Sequence, residues 1–172
     1  MGAELRTDRL TLRPLALADA PRLAHFSGDP DVARMLSMIP TPYPAVATEG
    51  FILIMQARAP LQKDHVFAID LEGEGAIGCI GAHAKPEGFE IGYYVGKPYW
   101  GHGYATEAAR ALSTHMAELG ATHLEAGHFI DNPASGRVLE KAGFEATGEI
   151  VPRFSLARGA KAPLRRMMRQ LS

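Results

Sequence analysis

The chain has 172 residues, a formal net charge of −1 at pH 7, and 47% hydrophobic against 22% charged residues. This composition is typical of a globular protein, and the length most simply makes one domain, residues 1–172, with a sizeable core. The near-zero charge argues against a nucleic-acid partner, which normally needs an excess of basic residues. No stretch approaches the ~20 apolar residues of a membrane-spanning helix, so no membrane partner is expected.

Cysteine content and the N-terminal segment bear on where the protein works. The single cysteine, Cys79, lies in an apolar run, excludes an internal disulfide and fits a reducing compartment. Residues 1–13 alternate charged and apolar side chains and lack the apolar centre of a signal peptide. We therefore expect a cytoplasmic protein.

Hydrophobic periodicity predicts a first strand, then helices, then a meander of three strands. Residues Glu4–Leu15 alternate as a strand. The second helix has a strong start, because Asp29 can cap it and Pro30 suits its first position. The predicted helices are Leu17–Phe26, Pro30–Leu36 and Ala45–Ala59, and the predicted strands after them are His65–Leu71, Ala76–Ala84 and Phe89–Val95.

The second half of the chain alternates helices and strands. A glycine after each of the two helices marks its end. The predicted elements are a helix over Tyr104–Leu119, a strand over His123–Phe129, a helix from Asn132 to Gly143, and the strands Phe144–Val151 and Pro163–Leu171. The order indicates a mixed α/β sheet in a single domain.

The turn Gly101-x-Gly103, between the strand Phe89–Val95 and the helix Tyr104–Leu119, is the first candidate site. A strand that breaks at such a turn and continues as a helix collects backbone N–H groups at the helix N-terminus. These groups suit a pyrophosphate without any lysine. The segment has neither the Gly-Lys-Ser/Thr ending of a Walker loop nor the third glycine of a Rossmann fingerprint.

A second motif, Asn132–Phe144, follows one helix and one strand later. With Arg9–Leu15, Glu90–Tyr93 and Trp100–Ala108, it resembles the GNAT acetyltransferase superfamily, and closely its RimJ/RimL-like branch, whose best-known members acetylate N-termini of ribosomal proteins. The four segments stand in the right order and span nearly the whole chain. The resemblance implies a mostly antiparallel sheet of six to seven strands with helices on both faces. It also implies a V-shaped splay between the Phe89–Val95 and His123–Phe129 strands.

The resemblance further implies that acetyl-CoA, as cosubstrate, lies in this splay. Backbone groups of the strand would pair with the pantetheine arm, the amides from Trp100 to Ala105 would hold the pyrophosphate, and Asn132 would bond the pantetheine. Ser135 would lie near the thiol. The implied cofactor-binding set is Tyr94, Val95, Trp100, Gly101, His102, Gly103, Tyr104, Ala105, Thr106, Asn132 and Ser135.

Two residues are candidate catalytic groups, Glu90 and Ser135. Many members of the superfamily have a tyrosine at the position of Leu139, acting as general acid on the leaving thiolate, and leucine cannot donate a proton. Ser135 is the natural substitute, although it could instead cap its own helix. Glu90 could be a base with a raised pKa that deprotonates the amine, directly or through water, or a merely exposed strand residue.

The acceptor is expected to be a primary amine that attacks directly. An α-amine, with a pKa of ~8, needs less deprotonation at neutral pH than a lysine at ~10.4, which favours a protein N-terminus or a small-molecule amine. The loops Asp31–Pro44 and Phe154–Ala162 are the predicted acceptor pocket. The seven histidines show no metal-ligand spacing, so no metal is expected.

Three questions stay open from the sequence. The chain could be a non-catalytic CoA-binding or regulatory protein that kept the fold, or a nucleotide-binding module that uses the same turn. A homodimer is compatible with the sequence, which does not decide it.

Overall fold

The computed structural model describes residues 3–171, whose core is one sheet of eight strands in the order β1-β2-β3-β4-β5-β6-β8-β7. All neighbouring strands are antiparallel except β5 and β6, which run parallel. The predicted mixed, mostly antiparallel α/β fold is confirmed. The strands are β1 (Leu5–Arg6), β2 (Leu10–Arg13), β3 (Asp64–Leu71), β4 (Gly75–Lys85), β5 (Gly88–Val95), β6 (His123–Phe129), β7 (Glu145–Ser155) and β8 (Ala160–Gln170).

The eighth strand arises because the predicted strand Glu4–Leu15 is divided in two. β1 and β2 pair antiparallel with each other. A tight turn joins them, in which the amide of Leu10 donates to the Thr7 hydroxyl at 2.9 Å and the amide of Thr7 donates to the Leu10 carbonyl at 2.9 Å. A threonine side chain that closes a turn on its own backbone competes with an extended strand.

Five α-helices accompany the sheet. The second ends early, at Ala33 rather than Leu36, because the chain continues as single turns in which the amide of Leu36 bonds the carbonyl of Ala33. Its predicted cap is confirmed, since the Asp29 carboxylate accepts from the amide of Asp31 at 2.9 Å. The helices are α1 (Ala20–Ser27), α2 (Pro30–Ala33), α3 (Ala45–Arg58), α4 (Tyr104–Glu118) and α5 (Pro133–Lys141).

Helices cover both faces of the sheet, so that it separates two apolar clusters. Helices α4 and α5 pack on one face, where Leu112 and Leu139 are fully buried against the strands. Helices α1 and α3 pack on the other face, through Leu23 and Ile52. Cys79 belongs to this second cluster, and burial raises the pKa of its thiol to about 12, so the predicted core thiol is confirmed.

Within residues 3–171, no helix combines the length and the apolar character needed to cross a bilayer.

Two glycines in adjacent central strands should respond differently to alanine. A Cβ on Gly78 would lie 2.1 Å from the carbonyl oxygen of Tyr94 and 2.9 Å from the Cα of Val95, whereas a Cβ on Gly92 would meet nothing within 4 Å. We expect Gly78→Ala to lower the free energy of unfolding by ~1–3 kcal/mol, because a backbone clash cannot be relieved by a side-chain rotation. Gly92→Ala should stay within ~0.5 kcal/mol of the unmodified protein. Urea unfolding of both variants is the measurement, and equal losses would contradict the expectation.

Candidate functional site

The strands β5 and β6 separate after a short contact. β5 pairs with β4 along its whole length, but it pairs with β6 only at Phe89–Leu124 and Glu90–Glu125. β6 pairs with β8 along its whole length. Beyond Glu90 and Glu125 the facing edges of β5 and β6 therefore diverge, and the predicted V-shaped splay is confirmed. Unpaired strand edges need partners for their N–H and C=O groups, and an extended ligand can supply them.

The turn that follows β5 presents a row of unpaired amides. Gly101 and Gly103 have φ of +77° and +81°, a left-handed conformation that glycine adopts without strain. The first hydrogen bond of α4 runs from the amide of Glu107 to the carbonyl of Gly103. In the described part of the chain, the six amides from Gly101 to Thr106 therefore donate to no protein acceptor.

Trp100 differs from its predicted role. Its amide donates to the carbonyl of Lys97 at 3.2 Å, so the row of available amides begins at Gly101 and not at Trp100. The indole N–H of Trp100 instead donates to the carbonyl of Val95 at 2.8 Å. Trp100 thus ties the turn to the end of β5. Tyr94, also in the predicted set, directs its side chain into the α1/α3 cluster, and burial raises the pKa of its phenol well above the ordinary value.

An ion pair between distant segments holds the turn in place. The Glu107 carboxylate accepts from the Thr7 hydroxyl at 2.6 Å, from the amide of Arg9 at 2.9 Å and from the Arg9 guanidinium at 2.8 Å. Arg9 also donates to the carbonyl of His102 at 2.8 Å and lies over the ring of Tyr104. Burial alone would raise the pKa of Glu107, but these donors outweigh it and lower that pKa.

At the start of α5, a serine and a tyrosine hydroxyl meet. The side-chain oxygen of Asn132, Oδ1, accepts from the backbone amide of Ser135 at 3.2 Å, so Asn132 caps the helix. The Ser135 hydroxyl is therefore left for other contacts. That hydroxyl lies 2.7 Å from the hydroxyl of Tyr93. Burial raises the pKa of Tyr93 to about 12, which keeps its phenol protonated at neutral pH. Leu139 is fully buried in the core.

Glu90 lies where β5 and β6 begin to separate, and its carboxylate is paired with two cations. The Lys85 ammonium is 2.7 Å from one carboxylate oxygen and the Arg153 guanidinium is 3.4 Å from the other. Burial would raise the pKa of Glu90, but Lys85 and Arg153 together outweigh that effect and lower it. The expected raised pKa is wrong, because the sequence did not reveal these partners. Glu90 is ionised at neutral pH.

The two predicted catalytic residues flank the splay from opposite faces of the sheet. Side chains alternate along a strand, so Tyr93, which contacts Ser135, and Glu90, three positions earlier, point to different faces. The structure therefore does not bring Glu90 and Ser135 into contact. A thioester bound in the opening between β5 and β6 would be accessible to Glu90 from one face of the sheet and to Ser135 from the other.

The two loops predicted to form the acceptor pocket contact each other at one place, the rim, which is formed by residues 36–37 and 155–156. The Ser155 hydroxyl donates to the carbonyl of Leu36 at 2.9 Å, and the amide of Leu156 donates to the carbonyl of Ser37 at 3.0 Å. The second loop is shorter than expected, because β7 and β8 extend into its two ends. This rim joins the segment after α2 to the tip of the β7–β8 hairpin.

Arg158 fastens the rim to the segment between β6 and α5. It donates to both carboxylate oxygens of Asp131, at 2.7 and 2.8 Å, and to the carbonyl of Arg34 at 2.7 Å. Arg158 belongs to the loop Phe154–Ala162, which the sequence predicts as part of the acceptor pocket. The observed bonds commit its charge to Asp131.

Sequence reasoning missed several of these groups. Tyr93 is absent from the predicted site residues, although its hydroxyl was a signal that it needed a buried partner. Arg9 and Glu107 are 98 residues apart, so no local pattern could pair them. Among residues 3–171, no group of three or more histidine, cysteine or acidic side chains could hold a metal ion.

Comparison with known proteins agrees with this geometry. The sequence profile of the family described as acetyltransferase (GNAT) domain matches residues 9–145. The uncharacterized N-acetyltransferase YoaA of Bacillus subtilis is 34% identical over 153 residues, which cover 84% of each chain. The chain therefore belongs to the GNAT acetyltransferase family, a class of N-acetyltransferases.

Solved structures share the fold over almost the whole chain. RimL, a ribosomal L7/L12 α-N-protein acetyltransferase in complex with coenzyme A, superposes with a TM-score of 0.84 at 19% identity and covers 98% of both chains. Mycobacterium smegmatis RimJ superposes with a TM-score of 0.81 at 22% identity, covering 98% of this chain and 86% of its own. At these identities the likeness concerns the fold.

The Glu107 ion pair predicts a pH-dependent stability. The pKa of Glu107 is lowered in the folded state, so its contribution is complete above the ordinary value of 4.5 and is lost as the pH falls through the folded value. We expect Glu107→Gln to lower the free energy of unfolding by ~1–3 kcal/mol at neutral pH. The difference should shrink as the pH falls towards 3, measured by urea unfolding at ~0.5 pH-unit steps. Glu118→Gln, an exposed position on the same helix, is the control, and a pH-independent difference would contradict the expectation.

Proposed function

We propose that the protein transfers the acetyl group of acetyl-CoA to a primary amine, which attacks directly without a covalent acetyl-enzyme. The observation that carries this proposal is the continuity of the splay between β5 and β6 with the unpaired amides from Gly101 to Thr106. An opening lined by free strand edges accepts an extended amide-containing arm, and a helix N-terminus at its end accepts a pyrophosphate. The coenzyme A held by RimL supports the same assignment.

The residues that would hold acetyl-CoA fit its parts. The edge of β5 near Tyr94 and Val95 would pair with the pantetheine, and the side-chain NH₂ of Asn132 is not used by the helix cap, in which only the carbonyl oxygen takes part. Bound acetyl-CoA supplies an activated thioester. A β5 amide near Tyr94 or Val95 would stabilise negative charge that develops on the acetyl oxygen.

Glu90 and Ser135 act from opposite sides of the sheet in this proposal. Glu90 is ionised, and its negative charge favours the approach of an ammonium group on its face. The Ser135 hydroxyl, hydrogen-bonded to Tyr93, would donate a proton to the sulfur that leaves on the other face. Leu139 is buried and has no proton to donate, so the role of proton donor falls to Ser135.

The acceptor is a protein N-terminal α-amine or a small-molecule amine. An α-amine, with a pKa of ~8, is partly neutral at physiological pH, which suits a site without a strong base better than a lysine does. RimL, a ribosomal L7/L12 α-N-protein acetyltransferase, acts on a protein α-amine, which supports the first choice. The single, buried cysteine supports a reducing, cytoplasmic setting.

The test is release of free thiol from acetyl-CoA in the presence of an amine panel. The panel contains peptides with different free N-termini, polyamines, amino acids and aminoglycosides, with N-terminally blocked peptides as matched controls. We expect turnover with at least one free amine and none with its blocked counterpart. Binding of CoA without turnover on any amine would favour the non-catalytic CoA-binding alternative. Stronger thermal stabilisation by ATP than by CoA would favour a nucleotide-binding module.

Replacement of Ser135 tests the proton donor. We expect Ser135→Ala to lower kcat by ~10²-fold, because the leaving thiolate loses its acid. CoA should still raise the melting temperature of the variant, since the amides from Gly101 to Thr106 are unchanged. Ser135→Thr keeps a hydroxyl and should retain most of the activity. An alanine variant with unchanged kcat would remove Ser135 from the reaction.

A further inference from the structure

A pair of facing glycines, Gly81 and Gly92, forms a glycine patch at the inner end of the splay. Gly92 is exposed although it belongs to β5, in the middle of the sheet, and a Cβ there would meet nothing within 4 Å. It stands two residues beyond Glu90, the last β5 residue paired with β6. Its partner on β4 is a second glycine, Gly81. Since Gly92 and Glu90 share a face, the patch opens on the Glu90 side of the sheet.

A histidine and a buried aspartate lie next to this patch. The Nδ1 of His83 is 2.6 Å from the Oδ1 of Asp64, whose side chain is only 6% exposed. Arg58 lies 2.8 Å from the other carboxylate oxygen as an ion pair. An ionised carboxylate only accepts hydrogen bonds, so Nδ1 of His83 must be the donor. The neutral imidazole then carries a bare lone pair on Nε2.

The Nε2 of His83 lies over Gly81. It is 3.1 Å from the position that a Cβ on Gly81 would occupy, beside a methyl group of Val66 at 2.9 Å. Gly81 is paired with Gly92, and the Cα atoms of residues directly opposite in an antiparallel sheet are ~4.5–5.5 Å apart. The side chain of His83 is 42% exposed, so the imidazole is open to solvent on the face to which Gly92 belongs.

Glu90, a second carboxylate on this face, is poorly suited to accept a proton. Glu90 is the direct β5 partner of His83, and its carboxylate is occupied by Lys85 and Arg153. The pKa of Glu90 is lowered by these two cations. Imidazoles as a class titrate closer to neutral pH than carboxylates, which is the range in which a general base is most effective.

We propose that the acceptor amine lies over Gly92 and that Nε2 of His83, oriented by Asp64, takes its proton. This assignment rests on the proposed function and identifies the base of that reaction. Nε2 takes one proton from the ammonium, and the neutral nitrogen bonds to the acetyl carbon as the carbon–sulfur bond breaks. The nitrogen gives its second proton to water as Ser135 donates a proton to the departing sulfur, Ser135 regains a proton from water, and His83 returns its proton to water. The products are an amide, CoA thiol and one released proton.

The tautomer of His83 tests the proposal without any turnover. In ¹⁵N-histidine-labelled protein, we expect long-range ¹H–¹⁵N spectra above pH ~8 to show His83 protonated on Nδ1 and bare on Nε2. The His83→Gln variant assigns the signal by its loss. A proton on Nε2 in the neutral ring would overturn the proposal, because that nitrogen could then accept nothing.

Kinetics with the amine found in the panel provide the second test. We expect His83→Gln to lower kcat by ~10²-fold and to remove the acid limb of the pH profile of kcat/KM. Asp64→Asn should weaken the same limb, because an amide can donate to Nδ1 and place the proton on Nε2. Gly92→Ala should raise the KM for the amine while leaving the KM for acetyl-CoA unchanged.

Two matched variants make the kinetic result decisive. His65→Gln removes a half-buried histidine one residue from Asp64 that packs against His115 instead, and it should keep the pH profile of the unmodified protein. Glu90→Gln should keep the acid limb even where kcat falls. Loss of that limb in Glu90→Gln, or its persistence in His83→Gln, would overturn the proposal. Absence of turnover by the unmodified protein would instead count against the proposed function, while the tautomer would still decide the role of His83.

Discussion

The separation of β5 from β6 after two residue pairs is the constraint on which the site depends. Each strand is fully paired on its other side, β5 with β4 and β6 with β8, so the divergence cannot be relieved by a shift of either strand. The unpaired edges are thus held open by the rest of the sheet. An opening built in this way is ready for a ligand before the ligand arrives, which reduces the ordering cost of binding.

The opening also joins two chemical environments that the sheet otherwise keeps apart. On the α4/α5 face, the hydroxyls of Ser135 and Tyr93 are neutral and protonated. On the other face lie the ionised Glu90 and the Asp64–His83 pair, which in the proposed reaction attract and deprotonate the ammonium. Amide formation from an ammonium needs a proton acceptor on the nitrogen and a donor on the sulfur. Placing them on opposite faces prevents them from neutralising each other.

Features made by local backbone chemistry could be predicted from the sequence, and features made by strand register could not. The glycine turn, the Asp29 cap and the start of α5 follow from a few neighbouring residues, and their positions were correct to within one or two residues. The pKa of Glu90 depends on Lys85 and Arg153, which only the register of β4, β5 and β7 brings near. The Asp64–His83 pair was missed because the predicted strand began at His65, one residue too late to place Asp64 opposite His83.

The electrostatics of the acceptor side restrict how the enzyme can choose its amine. A cleft of about 450 Å³ beside Glu90 is lined by equal numbers of cationic and anionic side chains. These are Lys85, Arg153 and Arg166 against Glu87, Glu90 and Glu125. Charges that are paired within 4 Å project little field into solvent, so long-range attraction of an acidic or basic acceptor is weak. Arg158, the cation best placed on the rim, is already bound to Asp131. We propose that selection among amines comes instead from the shape of the rim where the segment after α2 meets the β7–β8 hairpin, so that variants there change the acceptor without changing the donor.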